Sequence, residues 1–258
     1  MSGFSYVQTP EGFETLTILI DGELHTVTSN SGNFNEIFDR VRSGDYDVVG
    51  LINASIGISK DLVDHGLSDK IRVENGRVLY NDKVVNNTCA DYIVDLYRSG
   101  SKDYVAFANF MAKIVENEQH HAKNRLFDWL EATGGFALTP DGDIIGYKGL
   151  NENFSSIHAG PGRVNGVPFD RANLDNSPGN TVEVDEVEMN PEVGCSYGLH
   201  AGTWDYASSF SRGQTVSVII DPRDVVSVPT DCYDQKMRCR KYVVKEQVTA
   251  PYSAKVVK

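Results

Sequence analysis

Cysteine is scarce in this chain. Four thiols, Cys89, Cys195, Cys232 and Cys239, are spread at irregular spacing over 258 residues. That excludes the dense disulfide framework of small secreted domains and makes a reducing compartment the expectation. No run comes near the roughly 18 apolar residues that a membrane-crossing helix needs. The opening MSGFSYVQTPEGFE has neither a basic start nor an apolar core, so no secretion signal is expected. Positive charge is also in short supply, with 24 Lys and Arg against 36 Asp and Glu. A surface with a net charge of -12 repels phosphate backbones, so no nucleic-acid partner is expected. The hydrophobic and charged fractions that remain are those of a globular chain able to bury one large core or two ordinary ones.

Local patterning defines the elements. Thr15 to Ile20 and Glu23 to Thr28 flank Asp21-Gly22, a strong hairpin signal. Phe34, Ile37, Phe38 and Val41 recur at helical spacing before Gly44, which stops the helix. After an apolar stretch from Asp47 to Ile58, Ser59 is placed to cap a short helix through Val63. A second hairpin turns at Asn75-Gly76, and Asn81-Asp82 turns the chain again. From Ala90 to Leu130 the pattern is helical, in three apolar stripes that end at Gly134-Gly135. His120-His121 lies between two of these stripes without a further ligand at metal spacing, and a solvated position is expected for it. A third hairpin turns at Pro140-Asp-Gly142, and a polar stretch rich in Gly, Pro and Asn runs from Gly149 to Asn180. Thr181 to Met189 alternates as a strand. The fold class expected is α+β: an N-terminal hairpin and helix domain (1–88), a helical connector (89–134), and a C-terminal, mostly antiparallel sheet domain with one packed helix (135–258).

The stretch from Glu186 to Pro229 carries the candidate site. Cys195 and His200 stand with four residues between them, around Gly198. A short helix from Thr203 to Phe210 follows, with Trp204, Ala207 and Phe210 on one face. Val216 to Ile220 is an unbroken apolar run, as a strand covered on both faces would be, and it closes at Asp221-Pro222. Leu199, Trp204, Ala207, Phe210, Val218 and Ile220 are expected to share one buried cluster. Tyr147, Lys148, Cys195, His200 and Asp221 are the candidate pocket residues. Zinc would need Cys195 and His200 together with Cys232 and Cys239, but neither spacing matches a structural zinc pair, so no metal and no cofactor are expected. A Cys-His nucleophile would need a third group to orient the imidazole, and none is identifiable, so no catalytic residue is assigned. The plain reading is a tight turn at Gly198, a core Leu199 and a hydrogen-bonded His200.

Against the acidic background, Lys236-Met-Arg-Cys-Arg-Lys-Tyr242 is a local reversal of sign. Its alternation is that of an edge strand with one wet face, on which positive charge discourages edge pairing. The same Lys236, Arg238, Arg240 and Lys241, with Tyr242 as an anchor, would also form a docking stripe for an acidic surface or an anionic headgroup.

Five stretches together resemble the phage rIIB-like proteins, the accessory proteins of the rII lysis-inhibition system. They are FANFMAKIVEN (Phe107 to Asn117), LFDWLEATGGFALTPDGDIIGYKGL (Leu126 to Leu150), GCSYGLHAGTWDYASSF (Gly194 to Phe210), VIIDPRDVVSVPTD (Val218 to Asp231) and KMRCRKY (Lys236 to Tyr242). They run in order over about half of the chain, and the first hundred residues match more loosely. Where that family often has Asn-Pro between its helices, this chain has Asn117-Glu118. The resemblance implies a non-enzymatic protein of the host bacterial cytoplasm during infection. It implies a larger rIIA-type partner at the membrane, peripheral attachment there, and an influence on lysis timing and on exclusion by resident elements. It carries over no catalytic residue. More loosely, Tyr147-Lys148-Gly149, Gly198-Leu-His200 and the strand after them are similar to ADP-ribosyltransferase-like folds. That likeness implies a nucleotide-binding alternative, though the acid such an enzyme needs is not placed among these residues.

Overall fold

The computed structural model describes residues 2–10, 12–29, 33–53, 71–74, 77–81, 83–84, 93, 96, 101–133, 137–158, 160–169 and 174–257. The short helix expected from Ser59 to Val63, the Asn75-Gly76 turn, Asp82 and the Gly134-Gly135 break lie outside them, as does most of the first helical stripe. The chain divides into two compact units, Met1–Ala108 and Asn109–Lys258.

In the first unit, β1 (Gly3–Gln8), β2 (Glu14–Ile20) and β3 (Glu23–Thr28) form an antiparallel meander. Asp21 and Gly22 both have positive φ, 52° and 91°, the twist that a two-residue hairpin turn requires. Leu16, Ile18 and Ile20 alternate along β2 on its buried face. Helix α1 (Phe34–Arg42) sets Phe34, Ile37 and Val41 in one core with them, together with Val27 and Val48. This agreement of period 2 with period 3.6 is what builds a two-layer core. Strands β4 (Ile71–Glu74), β5 (Arg77–Tyr80) and β6 (Lys83–Val84) form a separate antiparallel sheet.

Helix α2 (Tyr104–Glu116) crosses the division between the units, and α3 (His120–Thr133) follows it. Asn117 sets the turn between them. Its side chain accepts from the Gln119 amide at 2.7 Å and donates to the Pro222 and Val225 carbonyls at 2.7 and 2.8 Å. Lys113 reaches Asp143 at 2.5 Å, so the end of α2 is tied to the sheet and is not a free connector.

The second unit is built on ten antiparallel strands: β7 (Ala137–Leu138), β8 (Ile144–Asn151), β9 (Gly162–Val164), β10 (Val167–Phe169), β11 (Thr181–Glu183), β12 (Leu199–Gly202), β13 (Gly213–Ile220), β14 (Val225–Ser227), β15 (Lys236–Cys239) and β16 (Lys241–Gln247). Their order is β10-β9-β11-β16-β13-β8-β12-β15-β14, with β7 paired to β8. With the helices and the smaller sheets, the class is α+β.

One residue, Arg240, joins β15 to β16, although β12, β8 and β13 lie between them in the hydrogen-bonding order. In a flat sheet those four steps of about 4.8 Å would separate the two strands by about 19 Å, beyond the reach of a single residue. The sheet therefore rolls up until β15, four steps from β16 in that order, runs directly into it. One consequence is that β15 and β16 both lie inside the sheet, not at an edge. A second departure from the sequence reading is the stretch after Gly149, which holds the β9–β10 hairpin. That hairpin turns at Asn165-Gly166, both with positive φ (51° and 79°). This is the same Asn-Gly signal that marks other hairpins, masked here by short strands that carry Gly, Arg and Pro in place of alternating apolar residues.

Candidate functional site

The register around β12 decides which side chains can meet. His200 pairs with Arg238 and Gly202 with Lys236 across β12 and β15, and Gly202 pairs with Tyr147 of β8. Paired residues share a face, and neighbours along a strand alternate. Tyr147, His200, Lys236 and Arg238 therefore occupy one face, the outside of the roll. Lys148, Leu199, Met237 and Cys239 occupy the other.

Helix α4 (Trp204–Phe210) lies on the outer face. Thr203 caps it by accepting from the Tyr206 amide at 3.3 Å. The Trp204 ring meets Tyr147 edge-on at 5.6 Å, and Ala207 is buried. Gly149 and Gly202 allow the approach: a Cβ at Gly149 would stand 2.3 Å from the Ala207 carbonyl, and one at Gly202 2.9 Å from the Tyr206 ring. The buried cluster expected of six residues is thereby corrected. Leu199 and Val218 face the interior while the helix packs outside, and Phe210 is exposed, its ring tilted against that of Tyr206 at 4.9 Å between centroids.

Arg238 is the centre of the outer face. It has 0% exposure, and among the described residues no carboxylate accepts from it; its guanidinium is ringed by backbone oxygens instead. Nη1 donates to the Glu188 carbonyl at 3.4 Å and the Asn190 carbonyl at 3.2 Å. Nη2 donates to the Gly194 carbonyl at 2.8 Å and to that of Val193. Nε donates to His200 Nε2 at 3.3 Å. Lys236, 3% exposed, reaches the Gly194 carbonyl at 2.8 Å and Asp231 at 2.6 Å. Two cations thus gather the loop 188–194 onto the sheet. A planar fork of donors is suited to binding several carbonyls at once. Burial lowers the Arg238 pKa from its ordinary value. His200 is driven down to about 3, first by burial and then by Lys148, Arg238 and Lys236, so the ring is neutral and accepts at Nε2.

These positions correct the expectation of an exposed positive stripe. Lys236 and Arg238 are buried on the outer face, and Tyr242 is buried with its hydroxyl donating to Asn176 Oδ1 at 2.5 Å. Arg240 and Lys241 remain exposed, and Lys241 pairs with Glu183 at 2.8 Å. Alternation predicts two faces; it does not reveal that a loop covers the polar one.

The pocket candidates do not converge. Lys148 Nζ donates to the His200 carbonyl at 3.0 Å and lies 5.8 Å from the Tyr242 ring centre. Burial lowers its pKa to about 8, and the Cys239 thiol near it is pushed up to about 12 by the same cause. Tyr147, on the opposite face, accepts from the Tyr252 amide at 2.8 Å. Asp221 caps the short 3-10 turn Pro222–Asp224, accepting from the Arg223 amide at 2.9 Å and pairing with its guanidinium at 2.5 Å. Cys195 is exposed and Cys239 is buried inside the roll. Gly198 has a φ of 122°, as the tight turn requires. The group that sequence reasoning missed is the Arg238 clamp on 188–194. Its only forewarning is a basic strand following a loop that is acidic at Asp185, Glu186, Glu188 and Glu192.

Fold and site together define a two-unit α+β protein with a rolled antiparallel sheet, in which buried cations organise a surface loop. No solved structure matches the chain. The chain belongs to the family of bacteriophage T4 protein rIIB, whose model matches residues 7–257. It is similar to Protein rIIB of Enterobacteria phage T4, with 29% identity over 242 residues that cover 92% of this chain and 72% of that protein.

Proposed function

We propose that this protein is a non-enzymatic accessory factor of phage infection that acts through protein partners. Family membership supports a role in lysis timing and in escape from exclusion by resident elements, with a larger rIIA-type phage protein as the partner. The observation that carries the non-enzymatic part is the use made of the ionisable residues. Arg238 and Lys236 hold a loop, Lys148 serves a backbone carbonyl, and Asp221 caps a turn. The work of these groups is to shape a surface. Among the described residues no helix is long and apolar enough to cross a membrane. Action from the host cytoplasm, with peripheral attachment at the inner membrane through the partner, is the arrangement proposed. Within the basic segment, the exposed corner at Arg240 and Lys241 is the part left to touch a partner.

Affinity purification of the tagged chain from infected cells tests this reading. A stoichiometric rIIA-type protein is expected in the membrane-associated fraction, with weaker recovery for the Arg240→Gln/Lys241→Gln variant at low salt. Recovery of the chain alone, together with unchanged lysis timing after its deletion, would overturn the reading. Equal recovery of the variant would remove the corner from it.

A further inference from the structure

Two cysteines that are distant in sequence border one contact in the second unit. Cys195 and Cys232 are both exposed free thiols. Each follows directly on a member of the pair Gly194 and Asp231, and that pair is in contact: a Cβ built on Gly194 would lie 2.6 Å from Asp231 Oδ2. Lys236 bridges the same two residues, at 2.8 Å to the Gly194 carbonyl and 2.6 Å to Asp231. The Thr230 amide donates to the Pro191 carbonyl at 3.2 Å, a second point at which the two segments meet. Both thiols are also within electrostatic reach of a single hydroxyl, that of Tyr206 on α4. The third described cysteine, Cys239, is sealed inside the roll and cannot compete.

We infer that Cys195 and Cys232 are an oxidant-responsive dithiol, joined by hydrogen peroxide into an intramolecular disulfide that locks the clamped loop to the turn at 232–234. A disulfide needs Cα atoms within about 7 Å. The contact between Gly194 and Asp231 places each cysteine one peptide step, about 3.8 Å between Cα atoms, from the point where the two segments meet. The local backbone favours adjustment: Cys232 and Tyr233 hold positive φ, 56° and 54°, a left-handed conformation that non-glycine residues adopt at a cost. In the reaction one thiol gives up its proton and attacks a peroxide oxygen as the thiolate; the O–O bond breaks, the departing hydroxide takes up that proton and leaves as water, and the sulfur becomes a sulfenic acid. The second thiol then attacks that sulfur and expels a second water. Two thiols and one peroxide become one disulfide and two waters, the sulfurs giving up two electrons and the peroxide taking them.

The bond would fix the spacing of the side chains carried by the two segments. Tyr197 and Tyr233 are 70% and 93% exposed, and Met189 and Val193 are exposed with them. Such a group of apolar and aromatic side chains is of the type found at protein contacts. A reductant would return the loop to the hold of Arg238 and Lys236 alone.

The test uses the full chain, reduced and freed of reductant. After treatment with hydrogen peroxide, non-reducing peptide mapping is expected to reveal one cross-link, Cys195 to Cys232, in a monomer lighter by two hydrogens and restored by dithiothreitol. Cys195→Ser and Cys232→Ser should each abolish it, and Cys239→Ser should not. Phenylarsine oxide, which bridges two adjacent thiols, should bind the reduced wild-type chain at one equivalent and protect both cysteines from alkylation. That readout needs no variant to fold. The inference requires both results. Independent sulfenic or sulfinic acids, a bond to another cysteine, a disulfide-linked dimer, or absence of the arsenical bridge would each overturn it.

Discussion

Replacing Arg238 with Met removes the clamp while nearly keeping the volume. The guanidinium donates to four carbonyls of the loop 188–194 and to His200. Hydrogen bonds to a charged donor are worth about 1.5–3 kcal/mol each, which would overstate the loss if simply added. Two effects reduce it. An apolar side chain recovers the several kcal/mol spent in taking the cation out of water. The loop also lies at the surface, with Met189, Asn190 and Glu192 exposed, so its freed carbonyls can turn to solvent. The balance falls near the lower end of the range for removing one partner of a buried charged cluster, about 3 kcal/mol. At a urea m-value near 2 kcal/mol/M, the midpoint should fall by about 1.5 M. Both tryptophans, Trp129 and Trp204, lie in the unit Asn109–Lys258, so tryptophan fluorescence reads the unfolding of that unit alone. Arg238→Lys should lose most of the same stability, because an ammonium cannot fork to four carbonyls. A midpoint shift below about 0.3 M for Arg238→Met, or a Lys variant equal to wild type, would refute the clamp.

Two further outcomes are expected. Gly149→Ala drives a Cβ to within 2.3 Å of the Ala207 carbonyl and 2.7 Å of the Ser211 amide, both backbone atoms. It should cost about 1–3 kcal/mol and alter Trp204 emission, and an unchanged urea midpoint would mean that α4 is not held that closely to β8. His200, held neutral in the folded chain down to about pH 3, takes a proton near pH 6.5 once unfolded. The unfolded state then binds more protons, so stability should fall as pH drops from about 6.5 toward 5, before most carboxylates titrate. His200→Gln should flatten that pH dependence, and an equal change of urea midpoint between pH 6.5 and 5 in the two chains would contradict a buried neutral ring.

Much of the architecture is legible in the chain. The hairpin at Asp21-Gly22, the helix at Phe34–Arg42 and the helix capped by Thr203 follow from turn chemistry and periodicity within a few residues. The apolar run Val216 to Ile220 marks the central strand β13, which pairs with β8 and β16. The cap of Asp221 on the Arg223 amide is equally local, since an Asp before a proline favours a turn. These features depend on neighbours in sequence, so they can be read without the fold. The Asn165-Gly166 hairpin was equally local. It was hidden because its short strands carry Gly, Arg and Pro in place of alternating apolar residues.

The roles of Lys148, Lys236 and Arg238 depend on contacts that no local pattern encodes. Alternation along Lys236–Cys239 indicates only that two faces exist. It does not say that a loop more than 40 residues earlier folds over the polar face, so a buried clamp and a wet stripe have the same sequence signature. The passage of the chain through Arg240 from one side of a five-strand roll to the other has no local signal either. It follows from which strands pair, and it places Lys148 inside and Arg238 outside. The residues that precede Cys195 and Cys232 likewise meet only in the folded chain, at the Gly194–Asp231 contact. The sequence by itself determined the elements, because turns and periodic faces are short-range physics. Only the tertiary structure decided which charges are buried and which distant segments meet, because those outcomes depend on which distant segment covers each face.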